Sequence, residues 1–191
     1  MNELHRRAGD LFDAVLRQAG LGVWERPTPC AEWDVRGLVH HVAWSNLWVA
    51  PLVHGAALDD VERQLEGDVL GDDPVGAGLR STAEASDAFD APGAMDRLVE
   101  LSRGPTPGRV YCGERMNDLT VHAWDLAAAL GLPVELDAEC MEAAMDVYRP
   151  FEAEGRPAGV FGPSVEVAAD ADLQTRFLAF WGRRSDWTPP A

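Results

Sequence analysis

The sequence predicts an all-α fold, a bundle of amphipathic helices followed by an extended C-terminal tail. Apolar residues recur at intervals of three and four along most of the chain, as in helices that bury one face. Alternating runs typical of strands are scarce, and Val165-Glu166-Val167 is the one clear candidate. A length of 191 residues suits one domain with a small appendage. We expect residues 1–154 to form the bundle and residues 155–191 to form a tail that packs on it.

Capping residues set the ends of the predicted helices. Asp34 and Asp137 are expected to cap helix N-termini, because a carboxylate accepts the free N–H groups of the first turn. Gly131 with Pro133 marks a helix end, and Pro51 is expected to stop the second helix. The predicted helical regions cover residues 2–20, 34–50, 57–66, 74–89, 93–102, 114–130, 137–154 and 172–181, with loops at 24–33 and 104–108.

The charge balance narrows the classes of partner and reaction. Sixteen basic and 32 acidic residues give a net charge of −16, which repels a phosphate backbone and argues against nucleic-acid binding. Every basic residue is arginine, so Schiff-base chemistry and a P-loop, which need lysine, are excluded. No signature of a dinucleotide fold, a serine-hydrolase elbow or a zinc-protease helix is present.

The remaining composition predicts a cytoplasmic protein that does not enter a membrane. No apolar run approaches the roughly 20 residues of a membrane span, and the N-terminus lacks the layout of a signal peptide. Cys30, Cys112 and Cys140 are widely spaced and odd in number, so we expect reduced thiols.

The predicted helix 114–130 carries a polar trio on the face expected to enter the core. At about 100° per residue, Asp118, His122 and Asp125 lie within an arc of about 60°. Burying two acids and a histidine is unfavourable unless a cation or a hydrogen-bond network satisfies them. An acid and a histidine four residues apart have the spacing to chelate a divalent metal. The trio also fits a solvated face with a capping interaction, and periodicity alone does not separate the two.

A second helix offers another inward imidazole. His41 lies about 60° from the apolar Leu38, whereas His40 lies about 160° away and is expected to face water. Two helices that each present an inward imidazole favour a metal over a hydrogen-bonded core histidine. Two histidines and one carboxylate leave coordination positions open, as in zinc hydrolases and transferases or non-haem iron proteins.

Two motifs and the tail resemble the DinB-like, mycothiol-dependent maleylpyruvate isomerase superfamily. The run TPCAEWDVRGLVHHV (28–42) is similar to its opening motif, in which a Thr-Pro-Cys turn and a tryptophan precede the helix of the first metal histidine. The run DLTVHAWDLA (118–127) is similar to its second motif, acid-x-x-x-His-x-Trp-Asp-Leu-Ala. Residues 160–173 and 177–183 look like the short actinobacterial-type branch, which ends in Gly-Arg.

The resemblance implies a four-helix bundle in which His41, Asp118 and His122 hold a divalent metal. Zinc is the expected ion, with nickel and iron as alternatives, and the family usually has glutamate where this chain has Asp118. Asp125 is the expected catalytic residue, either supporting a ligand histidine, approaching the metal, or moving protons. The implied partners are mycothiol and a small electrophilic substrate, used in transfer or isomerisation.

Three functions remain open at this point. Besides the thiol-dependent enzyme, the same site suits a thiol-independent hydrolase that uses metal-bound hydroxide. Aspartate in place of glutamate favours a non-catalytic bundle that binds a small ligand without metal. The oligomeric state is open as well, a homodimer included. Outside the site, Cys30 is expected to pack under Trp33, and Arg183 and Arg184 are expected to pair with acids within the bundle.

Overall fold

A computed structural model of the protein describes residues 1–149 and 163–190. Its helices are α1 (Asn2–Leu16), α2 (Val35–Leu47), α3 (Val49–Val53), α4 (Leu58–Gln64), α5 (Pro74–Asp90), α6 (Gly108–Leu130), α7 (Ala138–Tyr148) and α8 (Leu173–Phe180). A hairpin of β1 (Leu98–Leu101) and β2 (Gly104–Pro107) connects α5 to α6. Within these ranges, no helix has the length and apolar character needed to cross a membrane.

Four helices form the bundle, which confirms the predicted all-α class. Helices α1, α6, α2 and α5 contact one another in a closed ring, with α7 against α6 and α8 against α7. The ring encloses one apolar core, to which Phe12, Leu16, Leu38 and Leu119 contribute fully buried side chains. The expected boundary between bundle and tail, at residue 154, lies outside the described residues, as does the start of the tail motif at 160–162.

Helix α6 is the central element. Its residues on every side are buried, because α1, α2, α7 and the hairpin all pack against it. It begins at Gly108, six residues earlier than predicted, where a Cβ atom would lie only 1.9 Å from the carbonyl oxygen of Ala94. It ends at Leu130, as predicted, and Gly131 follows in a left-handed conformation with φ of 72°.

The predicted N-caps form, but the predicted end of the second helix is wrong. The Asp34 side chain accepts from the N–H of Gly37, and the Asp137 side chain accepts from that of Cys140. Helix α2 ends at Leu47, before Pro51, and Pro51 instead occupies the first turn of the short α3. Proline is tolerated there because first-turn N–H groups have no acceptor within their own helix.

The predictions of a helix at 93–102, a loop at 104–108 and a strand at 165–167 are also wrong. Residues 93–102 do not form a helix; their second half forms β1, which pairs with β2 in the segment expected to be a loop. Val99 and Thr106 are the paired residues that turn inward, so the apolar alternation is too short to stand out in the sequence. Val165–Val167 forms no strand, although Val165 donates a hydrogen bond to the carbonyl of Ala179.

Candidate metal centre

Helices α2 and α6 bring the predicted metal ligands together. One oxygen of Asp118, Oδ1, lies 3.3 Å from Nε2 of His41 and 3.5 Å from Nε2 of His122. One ligand atom from each residue falls within 4.8 Å of the other two. His41 faces α6, as its predicted position on α2 required.

This spacing fits a small divalent ion. Zinc binds histidine nitrogens and carboxylate oxygens at about 2.0–2.1 Å, so two ligand atoms of a tetrahedral site lie about 3.3 Å apart. The two oxygen-to-nitrogen distances at Asp118 match that separation. Three protein ligands leave at least one coordination position for another molecule, as in catalytic sites.

The loop before α2 fixes the His41 imidazole from its other side. Trp33 stacks on His41 with ring centroids 4.4 Å apart and planes inclined by 25°. Trp33 directly precedes the N-cap Asp34, so the end of the loop and the start of the helix are positioned together. The result is an imidazole whose plane is restrained before any ion binds.

Arg115 holds the other oxygen of Asp118. Its Nη2 lies 2.9 Å from Oδ2 of Asp118 and 3.2 Å from Oδ1 of Asn46, and its side chain is buried. Burial alone raises the pKa of Asp118, but Arg115 and His122 outweigh burial and hold this pKa well below its usual value. Asp118 is therefore an anion whose Oδ1 faces the two imidazoles.

Asp125 lies behind His122, on the side away from Asp118. Its Oδ2 lies 2.9 Å from Nδ1 of His122, and its carboxylate has no exposed surface. Burial raises the pKa of Asp125, but the His122 hydrogen bond and Arg183 outweigh this and lower it. Since an ionised carboxylate only accepts, Nδ1 donates and Nε2 is the nitrogen that faces Asp118.

The pKa of His122 reflects both carboxylates. Burial alone lowers it, but the charge of Asp118 and hydrogen bonds to Asp118, Asp125 and Cys30 raise it well above its usual value. A divalent ion at Nε2 would replace the proton that these carboxylates stabilise.

A second donor set lies on the Asp125 side. Ligand atoms of Cys30, His122 and Asp125 also fall within 4.8 Å of one another. The guanidinium of Arg183 already occupies that position, with Nη2 2.8 Å from Sγ of Cys30 and 2.9 Å from Oδ2 of Asp125. A cation is therefore already present in this set, so His41, Asp118 and His122 are the better candidate ligands.

The candidate ligands form part of the wall of a cavity of about 660 Å³. Aromatic, charged and amide side chains complete the wall, whereas Asp125 is not among the lining residues. The lining residues are Pro29, Cys30, Ala31, Glu32, Trp33, His41, Tyr111, Glu114, Arg115, Asn117, Asp118, Val121, His122, Tyr148, Trp181 and Arg183.

Several side chains depart from expectation. His40, expected to face water, is half-buried instead, and its Nε2 lies 3.1 Å from the carbonyl oxygen of Gly67. The thiol of Cys30 contacts Asp125 and Arg183 in addition to its place in the turn. Arg183 pairs with Asp125 of the bundle as expected, whereas Arg184 pairs with Asp186, which lies in the tail and not in the bundle.

Arg115 and Asn46 are the contacts that sequence reasoning missed. Arg115 stands three residues before Asp118, a spacing that places it beside the carboxylate on one helix face. That spacing was a usable signal for Arg115. Asn46 comes from α2, and only the packing of α2 on α6 brings it into reach.

Residues 5–127 match a family described as the mycothiol maleylpyruvate isomerase N-terminal domain. Two uncharacterized proteins of Mycobacterium tuberculosis, from strains CDC 1551 and H37Rv, are each 35% identical over 179 residues, covering 91% of this chain and 94% of theirs.

Two crystal structures share the fold. They are a mycothiol-dependent maleylpyruvate isomerase and its histidine-to-alanine mutant, with TM-scores of 0.58 and 0.59 and identities of 15% and 14%. Each match covers 74% of this chain but only 65% of the crystallised chain.

Proposed function

This chain belongs to the mycothiol maleylpyruvate isomerase N-terminal domain family, and on that premise we propose that it is a metal-dependent enzyme. It uses a low-molecular-weight thiol of the mycothiol type for transfer or isomerisation on a small electrophilic substrate. The observation that carries the proposal is the approach of His41 and His122 to one oxygen of Asp118 at the wall of a cavity.

The protein residues prepare this site for a divalent ion. His41, Asp118 and His122 would hold the ion, and zinc bound there would supply a Lewis acid that favours the thiolate form of a thiol. Arg115 keeps Oδ2 of Asp118 occupied, which leaves Oδ1 toward the imidazoles. Asp125 accepts a hydrogen bond from Nδ1 of His122, which directs Nε2 to the same point. Trp33 shields the opposite face of His41 from water.

The cavity suits a small molecule beside a thiol. Its volume of about 660 Å³ is within the roughly 300–1,000 Å³ typical of small-molecule sites. The wall carries two arginines, three acids and the aromatic face of Trp33, so it offers polar groups of both signs beside an apolar surface.

Metal content is the first test. Protein purified without chelators is expected to contain about one divalent ion per chain, and His122→Ala protein about none. Equal, negligible content in both would contradict the metal-dependent proposal.

Thiol binding is the second test. Mycothiol added to cobalt-substituted protein is expected to produce a sulfur-to-metal charge-transfer band, because coordination brings the thiolate to the ion. A metal-loaded protein whose spectrum does not change with thiol, and which turns over substrates without it, would instead be the hydrolase.

One observation favours a non-catalytic alternative. The ion pair of Arg115 with Asp118 already gives the carboxylate a positive partner at 2.9 Å. A bundle that binds a small ligand without metal is therefore the second candidate. It predicts no metal in purified protein and small-molecule binding that survives treatment with a chelator.

A further inference from the structure

We propose that Arg183 is a positioning residue for the metal site, which acts on the ligand His122 through Asp125. The effect on metal affinity rests on the proposed function, whereas the effect on the His122 ring does not. Arg183 lies outside residues 5–127, the part matched by the family, so the C-terminal segment completes a site built by the bundle.

The guanidinium group of Arg183 donates hydrogen bonds to both oxygens of the Asp125 carboxylate. Nε lies 3.2 Å from Oδ1 and Nη2 lies 2.9 Å from Oδ2, and the Arg183 side chain is only 17% exposed. A bidentate contact of this kind fixes the plane of the carboxylate, whereas a single hydrogen bond does not. With that plane fixed, Oδ2 stays 2.9 Å from Nδ1 of His122.

The backbone after α8 holds Arg183 in place. Gly182 has φ of 77°, which turns the chain back on the helix, and the N–H of Arg183 donates to the carbonyl of Leu178 at 2.8 Å. The side chain also donates through Nη1 to the carbonyl of Trp181 at 2.9 Å. The guanidinium is thus restrained by its own turn as well as by Asp125.

Removing the guanidinium leaves Asp125 buried with its negative charge poorly compensated. The carboxylate has no exposed surface, so it must rotate or draw in water. Either change releases the ring of His122 from its orientation toward Asp118. Hydrogen-bond partners of ligand histidines typically contribute 10–100-fold to metal affinity.

The first experiment uses metal-free protein and observes the ring nitrogens of His122 by NMR. In Arg183→Gln we expect the Nδ1 signal to shift and its proton to exchange faster with water, since Asp125 no longer holds it. Arg184→Gln is the matched control, because Arg184 is exposed and pairs with Asp186. Unchanged His122 signals in Arg183→Gln would overturn the proposal, whether or not the protein binds metal.

The second experiment measures zinc affinity by competition with a chromophoric chelator. Zinc affinity is expected to be about 10–100-fold lower in Arg183→Gln. The loss should be smaller in Arg183→Lys, because lysine restores the charge without the bidentate contact. Combining Arg183→Gln with Asp125→Asn should weaken binding little beyond Asp125→Asn alone. Fully additive losses would show that Arg183 does not act through Asp125.

Stability and metal binding separate the remaining explanations. If Arg183→Gln does not fold, the same two measurements are made on Arg183→Lys and Arg183→Met. Parent-like His122 signals and parent-like zinc affinity in both folded variants would overturn the proposal. Failure of the parent protein to bind zinc contradicts the proposed function only, since the His122 ring in metal-free protein still reports on Arg183.

Discussion

Two aspartates on α6 flank His122, and only one of them keeps an oxygen available. Asp118, four residues before the histidine, contacts Arg115 through Oδ2 and turns Oδ1 to both imidazoles. Asp125, three residues after it, has both oxygens taken by Arg183, with Cys30 and His122 on Oδ2 as well. The same residue type on one helix thus becomes a ligand candidate or a support according to how its arginine approaches.

The strongest way to break this comparison is to neutralise Asp118. Asp118→Asn is expected to weaken zinc binding by more than about 100-fold, beyond the range for residues that only support a ligand. Asp118→Glu should retain zinc, because it keeps the negative charge and two carboxylate oxygens. Isothermal titration with zinc measures both. Parent-like affinity in Asp118→Asn would remove Asp118 from the ligand set.

The two adjacent histidines of α2 give the next largest contrast. His41→Ala should also abolish tight zinc binding, since it deletes a ligand, whereas His40→Ala should leave it intact. His40→Ala should lower only the free energy of unfolding, by about 0.5–1.5 kcal/mol, through the lost contact with Gly67. Metal analysis and urea unfolding of both variants test this. A larger zinc loss in His40→Ala would reverse the orientation assigned to the pair.

Asp125→Asn sharpens the comparison from the other side of His122. An amide still accepts from Nδ1 but carries no charge, so zinc affinity should fall by about 10–100-fold, less than for Asp118→Asn. Competition with a chelator ranks the two variants directly. If Asp125→Asn has the larger effect, the carboxylate behind His122 is the ligand and the assignment here is inverted.

The raised pKa of His122 predicts how zinc affinity depends on pH. The proton must leave before zinc binds, so affinity should increase about tenfold per pH unit through neutral pH and level off once His122 is deprotonated. Asp125→Asn weakens one cause of the raised pKa and should move the plateau to lower pH. Zinc titrations between pH 6 and 9 measure the slope, and a flat profile would contradict the raised pKa.

His5 is a buried histidine without these carboxylate contacts, and its pKa is shifted in the opposite direction to that of His122. Burial, then Arg115, lowers its pKa to about 3 from 6.5. Between those values the unfolded chain binds a proton that the folded one excludes, so stability from this residue falls as the pH drops below about 6.5. The expected decrease is about 1.4 kcal/mol per pH unit.

The variant His5→Leu isolates this effect. Asp13, whose pKa burial raises to about 6, changes stability with the opposite sign between pH 3.8 and 6, so only the difference from the parent is informative. Urea unfolding from pH 7 to 4 should show less acid destabilisation in His5→Leu. Identical pH profiles would mean that His5 has the same pKa in the folded and the unfolded chain.

Local rules predicted much of the fold and the candidate ligands. The caps at Asp34 and Asp137 and the end at Gly131 depend on contacts within one turn, which adjacent residues determine. The shared face of Asp118, His122 and Asp125 depends only on helical rotation. The hairpin was not predicted, because its strands are only four residues long and β2 contains two prolines.

What could not be predicted depends on long-range packing. Helical rotation placed Asp118 and Asp125 equally near His122, so rotation alone did not distinguish their roles. The distinction comes from Arg183, which is 58 residues from Asp125 in sequence, and from Asn46 on α2, which holds Arg115. A pattern within one helix contains no information about either contact.

Because α6 is buried, its residues are expected to change more slowly in evolution than those of the loop that faces it across the cavity. Asp118 and His122 lie on a helix that is packed on all sides, so most substitutions that shift them also disturb the core. In the facing loop, Pro29, Ala31 and Glu32 should tolerate change more readily than Cys30 and Trp33, which contact Arg183 and His41. Relatives can therefore keep the arrangement of Asp118 and His122 while the rest of the cavity changes shape, and those three loop positions are where to look for such change.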